Sequence, residues 1–111
     1  MTYFKTLNDA FKAGETKIWY QNEMFWETKG FHPEVKLADL EKTHILLGSI
    51  DLTDLEEIFY QLQGHIWSPN GEARNLITSL GLVHTSMSVG DVVEMDGKFF
   101  LCDNCGFTEI Q

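Results

Sequence analysis

The sequence has no apolar run approaching the roughly 18 residues needed to cross a bilayer. Its first stretch, MTYFKTLNDAFKAGE, lacks the basic-then-apolar layout of a secretory signal. Both absences point to a protein that stays in the aqueous compartment where it is made. Cysteine is nearly missing: Cys102 and Cys105 are the only two, too few for the disulfide framework of a secreted mini-protein, which favours a reducing cytosol. No repeat, low-complexity tract or Pro/Gly/Ser linker interrupts the chain, so residues 1–111 read as a single domain. That length is near the size at which one hydrophobic core becomes self-sufficient. An apolar fraction of 43%, with 13% aromatic residues, is enough for such a core.

The most informative shortage is of basic residues, and it is uneven. Residues 1–50 carry seven acids and six bases, a net of −1, whereas residues 51–111 carry ten acids against only Arg74 and Lys98, a net of −8. Phosphate contacts need clustered Lys and Arg, so direct nucleic-acid binding by the second half is disfavoured. An acidic face either keeps the protein soluble or meets a basic protein surface, including one that normally holds DNA or RNA.

Signatures of known chemistries are also scarce. Cys102-Asp103-Asn104-Cys105 would supply two of the four ligands of a zinc site, but no second CxxC or HxxxH exists, and His32, His44, His65 and His84 are distant in sequence. A redox CxxC belongs at a helix start, whereas this one falls in an expected strand-turn-strand. No metal and no cofactor is therefore expected. Thr85, Ser86 and Ser88 near His84 suggest a nucleophile with its base, yet there is no G-x-S-x-G elbow and no acid in an identifiable role. GSIDLTDLEE has a single glycine ahead of its helix, short of either nucleotide fingerprint. Glu56 and Glu57 are accounted for by the dipole of a helix start. These absences favour a non-enzymatic protein.

What is present is a run of local structure signals. Phe4, Leu7, Ala10 and Phe11 at helical spacing predict a first helix ending near Ala13, with Gly14 as its stop. KIWYQNEMFWET reads as a hairpin turning at Gln21-Asn22-Glu23. TKGFHPEVKLADLEK is expected to be irregular, with a helical turn over 37–40. The apolar run THILLGSI is consistent with a central strand covered on both faces.

In DLTDLEEIFYQLQG, Leu52, Leu55, Ile58, Phe59 and Leu62 form a stripe at spacings of three and four. Asp51 is the expected cap and Gly64 the expected terminator. In SPNGEARNLITSLGL, Ser68 is the expected cap, Pro69 the first helical residue and Gly81 the stop, with Ala73, Leu76, Ile77 and Leu80 facing the core. In DVVEMDGKFFLCDNCGFTEI, a type I′ turn at Asp96-Gly97 would set Met95 across from Lys98, Val93 across from Phe100 and Val92 across from Leu101, with GFTEI as a third antiparallel strand. The expected fold is α+β: a mainly antiparallel sheet of about five to six strands, ending in this hairpin and meander, packed against about three helices.

The stretch HTSMSVGDVV fits neither helix nor strand. Gly90 and Asp91 would set the register of the hairpin that follows, with glycine permitting a backbone angle that a β-carbon penalises. The hydroxyls of Thr85, Ser86 and Ser88 would satisfy loop amides that lack ladder partners.

HTSMSVGDVVEMDGKFFLCDNCGFTEI resembles the ending of small phage, plasmid and mobile-element proteins related to the YodL-like domain. The pattern falls here on His84, Ser86, Ser88, Val89, Gly90, Asp91, Val92, Val93, Asp96, Gly97, Phe99, Phe100, Gly106 and Phe107. THILLGSIDLTDLEEIFYQLQG looks like the strand and helix that precede this ending in the phage versions. The resemblance covers roughly residues 45–110, leaves the first 40 unmatched, and is broken by Cys102 and Cys105. It implies a mobile-element protein acting in the cytoplasm of a bacterial host cell.

Resemblance and charge together lead to the expectation of a small acidic protein that binds a host protein and inhibits a defence or nucleic-acid-handling complex, of the anti-CRISPR or anti-restriction type. The partner would carry a basic, nucleic-acid-binding surface, with no direct nucleic acid and no membrane involved. Candidate contacts are the aromatic residues Trp19, Tyr20, Phe25 and Trp26, exposed if only one face of their hairpin is covered, and the acids Asp54, Glu56, Glu57, Asp91, Glu94 and Asp96. One alternative is a module for a small ligand such as a nucleotide signal, built on Arg74, His84, Ser86 and Ser88; another is a structural accessory protein of a phage.

Overall fold

The computed structural model describes residues 14–30, 34–104 and 106–111. The helix expected over the first 13 residues, and Cys105, lie outside them. The chain runs β1 (Thr16–Gln21), α1 (Glu23–Thr28), a 3₁₀ turn (Leu37–Asp39), the single-turn α2 (Leu40–Thr43), β2 (His44–Ile50), α3 (Leu55–Gln61), α4 (Gly64–Trp67), α5 (Arg74–Ser79), β3 (Val92–Met95), β4 (Lys98–Asp103) and β5 (Gly106–Ile110). The five strands form one antiparallel sheet in the order β2-β1-β3-β4-β5. This is the expected α+β architecture. No helix among the described residues is long and apolar enough to cross a membrane.

The C-terminal meander follows the sequence signal closely. Asp96 (φ 53°) and Gly97 (φ 73°) both adopt the positive φ of a type I′ turn. Met95 pairs with Lys98, Val93 with Phe100 and Val92 with Leu101, and β5 continues antiparallel to β4. Gly81 (φ 72°) closes α5 as expected: its N–H bonds Thr78 O at 3.0 Å while Leu82 N–H reaches back to Ile77 O at 3.0 Å, the paired bonds of a Schellman motif.

Four expectations change. The aromatic segment is not a hairpin. Asn22 stops β1 and caps α1, its Oδ1 accepting the Phe25 amide at 2.9 Å, with Glu23 in the first turn; the capping chemistry of Asn22 outweighs the strand propensity of Met24, Phe25 and Trp26. THILLGSI is an edge strand, carrying a bulge opposite Ile18 and Trp19. Its apolar character reports that elements cover its faces and says nothing about how many strands flank it.

Helix α3 is capped by Asp54, whose carboxylate accepts the Glu57 amide at 3.0 Å, so Asp51 lies outside it; Gly64 opens α4 instead of ending α3. The hydroxyl of Ser68 accepts the Ala73 amide at 2.9 Å around a turn that contains Pro69, and α5 begins only at Arg74.

Two clusters divide the apolar residues between the faces of the sheet. On one face Ile18, Tyr20, Leu47, Ile50 and Val93 pack under Ile58, Leu62, Trp67, Ala73 and Ile77 from the helices. On the other, Val92 packs with Val35 and Leu40, flanked by partly buried Trp19, Phe25, Leu37, Phe99, Leu101 and Ile110.

Candidate functional site

The loop between α5 and β3 is anchored by a carboxylate. Asp91 has no solvent exposure. It accepts the backbone N–H of Gln21 at 2.9 Å, the Gln21 side-chain amide at 3.0 Å and the Ser88 N–H at 2.8 Å. It also accepts His84 Nε2–H, 2.9 Å from Oδ2 and 3.1 Å from Oδ1. A buried carboxylate requires such donors, and here they come from β1 and from both ends of the loop.

The His84 ring is held in a stack. Tyr20 lies on one side at 4.5 Å between centroids and 16° between planes, and Trp26 on the other at 4.1 Å and 15°. Lys29 Nζ sits 4.2 Å from the Trp26 ring centroid and donates to Val89 O at 2.6 Å. Tyr20 Oη donates to Thr85 O at 2.8 Å, and Trp67 Nε1–H donates to the same carbonyl at 3.1 Å. Just before β3, His44 Nε2–H donates to Gly90 O at 2.6 Å, and the Thr43 hydroxyl lies 2.7 Å from His44 Nδ1. Gly90 takes φ 102°, and a β-carbon there would fall 2.4 Å from Gln21 Oε1. The expectation for Gly90 therefore holds for two reasons, backbone angle and close approach.

Burial sets the electrostatics. It pushes the Tyr20 phenol well above its ordinary value, with Asp91 and then Cys102 adding to the effect. It pushes the Cys102 thiol up to about 12, with Asp91 and Asp103 adding and Lys29 opposing. Burial lowers Lys29 and His44, in both cases against the attraction of Asp91, which for His44 adds to the bond with Gly90. A thiol held this high is protonated at neutral pH and therefore a poor nucleophile. Cys102 lies on β4, in the strand setting expected for it.

The Asp91–His84 pair has the composition of a base and its orienting acid, but His84 Nδ1 is enclosed and has no hydrogen-bond partner. The serine hydroxyls bond to neighbouring backbone and not to the His84 ring: Ser86 Oγ accepts the Gly64 amide at 2.7 Å and Ser88 Oγ donates to Ser86 O at 2.9 Å. The expectation that hydroxyls satisfy the loop amides is thus corrected in detail. Asp91 takes the Ser88 amide, and Ser86 serves α4. What the arrangement does is brace β1, α1, β2, α4 and β4 against one loop.

The candidate contact residues separate. Tyr20 and Asp91 are fully buried and present nothing to a partner, because stacking on His84 and capture of β1 amides place both inside. Trp26 is half-buried in the stack. Phe25 packs beside His44 at 5.4 Å between centroids, and Trp19 donates through Nε1–H to Glu94 Oε1 at 3.0 Å. Asp54 and Glu56 are exposed on α3, Glu57 is half-buried beside Gln61, and Asp96 is exposed at the hairpin turn. Among the described residues the exposed aromatics are instead Phe59 at 37% and Tyr60 at 53%. Phe59 fits the helical spacing of the core stripe, but Ile58 and Leu62 take the core positions and leave it at the edge of the buried face. Of the alternative ligand residues, His84 is buried and only Arg74 lines an open cleft, together with Thr85.

Compared with known proteins, the chain matches no family model, no curated protein and no solved structure.

Proposed function

We propose that the protein is a small non-enzymatic binding protein of the phage and mobile-element class that its C-terminal pattern resembles. In this reading it acts in the cytoplasm of a bacterial host, engaging a basic host protein of a defence or nucleic-acid-handling complex. The observation that carries this reading is the outer face of α3. Glu56, Phe59 and Tyr60 stand at i, i+3 and i+4 and are neighbours on the helix surface, while Ile58 and Leu62 enter the core. Asp54 and Glu57 add carboxylates at the same end, and residues 51–73 contain no Lys or Arg. Exposed rings supply the area that anchors an interface, and surrounding carboxylates steer a cationic surface toward it. The same charge repels nucleic acid.

Tagged protein incubated with lysates of infection-relevant hosts tests the proposal. Wild type should retain a stoichiometric basic partner that Phe59→Ala/Tyr60→Ala loses, with the circular dichroism spectrum unchanged. Recovery of no stoichiometric partner, or its retention by the double variant, overturns the proposal.

A further inference from the structure

We infer that the cleft beside Arg74 binds a small phosphate-bearing molecule of nucleotide size. The cleft encloses about 450 Å³ between the turn after α4, helix α5 and Thr85, within the range of roughly 300–1,000 Å³ typical of small-molecule sites. Its position in an acidic chain is the first argument. The half of the sequence that forms it carries ten acids and two bases, yet the cleft holds the only arginine of the protein and no Asp or Glu lines it.

Arg74 is also uncommitted. Among the described residues it forms no ion pair. Its nearest acid in sequence, Glu72, accepts the Asn70 amide instead, at 2.7 and 3.2 Å from its two oxygens. Five N–H donors in a planar fork are therefore available for a bidentate oxyanion.

The surroundings hold that fork in place. Gly71 has φ 84°, and a β-carbon there would lie 3.3 Å from Arg74 Nη2, so the guanidinium rests against bare backbone. Ser68 Oγ accepts the Ala73 amide, which leaves its own proton to donate. Asn70, Thr78 and Thr85 add further polar side chains to the lining. The Thr85 wall is fixed because its carbonyl holds both Tyr20 and Trp67. With Ser68, Thr78 and Thr85 in the same lining, hydroxyl donors are available for the further oxygens of a phosphate group beyond the two a guanidinium can grip, and the apolar surface of Pro69 and Ile77 accommodates the organic remainder.

Titration of the full chain, followed by amide NMR, with adenosine monophosphate, inorganic phosphate and succinate as separate probes, tests the inference. Adenosine monophosphate should give saturable shifts at Gly64, Asn70, Gly71, Arg74 and Thr85. Arg74→Gln should weaken it at least tenfold, and Lys98→Gln, at the distant hairpin, should leave it unchanged. Phosphate binding as tightly as the nucleotide would confine the site to the free anion and overturn the nucleotide-sized ligand. Equal binding of succinate, the absence of saturable shifts, or full affinity in Arg74→Gln would overturn the phosphate site itself.

Discussion

The residue that organises this protein is Asp91. Its carboxylate satisfies two backbone amides and two side chains in a place that water does not reach. Removing one partner from such a network leaves the others desolvated and unpaired, so Asp91→Ala should cost about 3–5 kcal/mol. Urea unfolding measures this, and a loss below 1 kcal/mol would mean that solvent replaces the carboxylate.

His44 makes the fold sensitive to acid. Burial holds its folded-state value below the ordinary 6.5, so the unfolded chain binds a proton more readily. Its contribution is complete above pH 6.5 and is lost progressively as pH falls from there toward the depressed folded value. The urea midpoint should therefore fall across that window, and His44→Gln should flatten this part of the slope, whatever its effect on stability at neutral pH.

At the scale of elements, capping chemistry decided what propensity did not. Asn22 turned an aromatic strand pattern into α1, and Asp54 set the start of α3 three residues later than Asp51 would have. Both caps were visible as residue types; which of the competing candidates acts depends on where β1 and β2 deliver the chain. Asp54→Ala should lower stability by about 1 kcal/mol, read from the thermal midpoint and from loss of helical circular dichroism. The Asp96-Gly97 turn was legible in full because a two-residue loop allows one register and one twist. The edge position of β2 was not, since an apolar run records burial of its faces and is silent about hydrogen-bonding neighbours.

For the whole molecule, the acidic balance of residues 51–111 becomes a surface property concentrated on α3 and the β3–β4 hairpin. Binding of a basic partner through α3 should slow as ionic strength rises from 0.05 to 0.5 M, because the Debye length falls below about 10 Å over that range. Surface-plasmon measurements should place most of the salt effect in the association rate. The candidate site was legible only as a list of residue types. The aromatic segment was recognised, but its rings divide between the His84 stack and the second face of the sheet, and the exposed pair lies on α3 instead.

By itself the sequence determined the α+β class, the C-terminal meander with its register, the stop of α5 at Gly81 and the need for glycine at position 90. Each follows from local backbone geometry or a short-range pattern. Tertiary structure alone decided that Asp91 and His84 are interior, that β2 lies at an edge, and that Arg74 stands in a cleft free of acids. These depend on contacts between residues as much as 70 positions apart, such as Gln21 with Asp91, and no local pattern encodes which buried donor a carboxylate will meet.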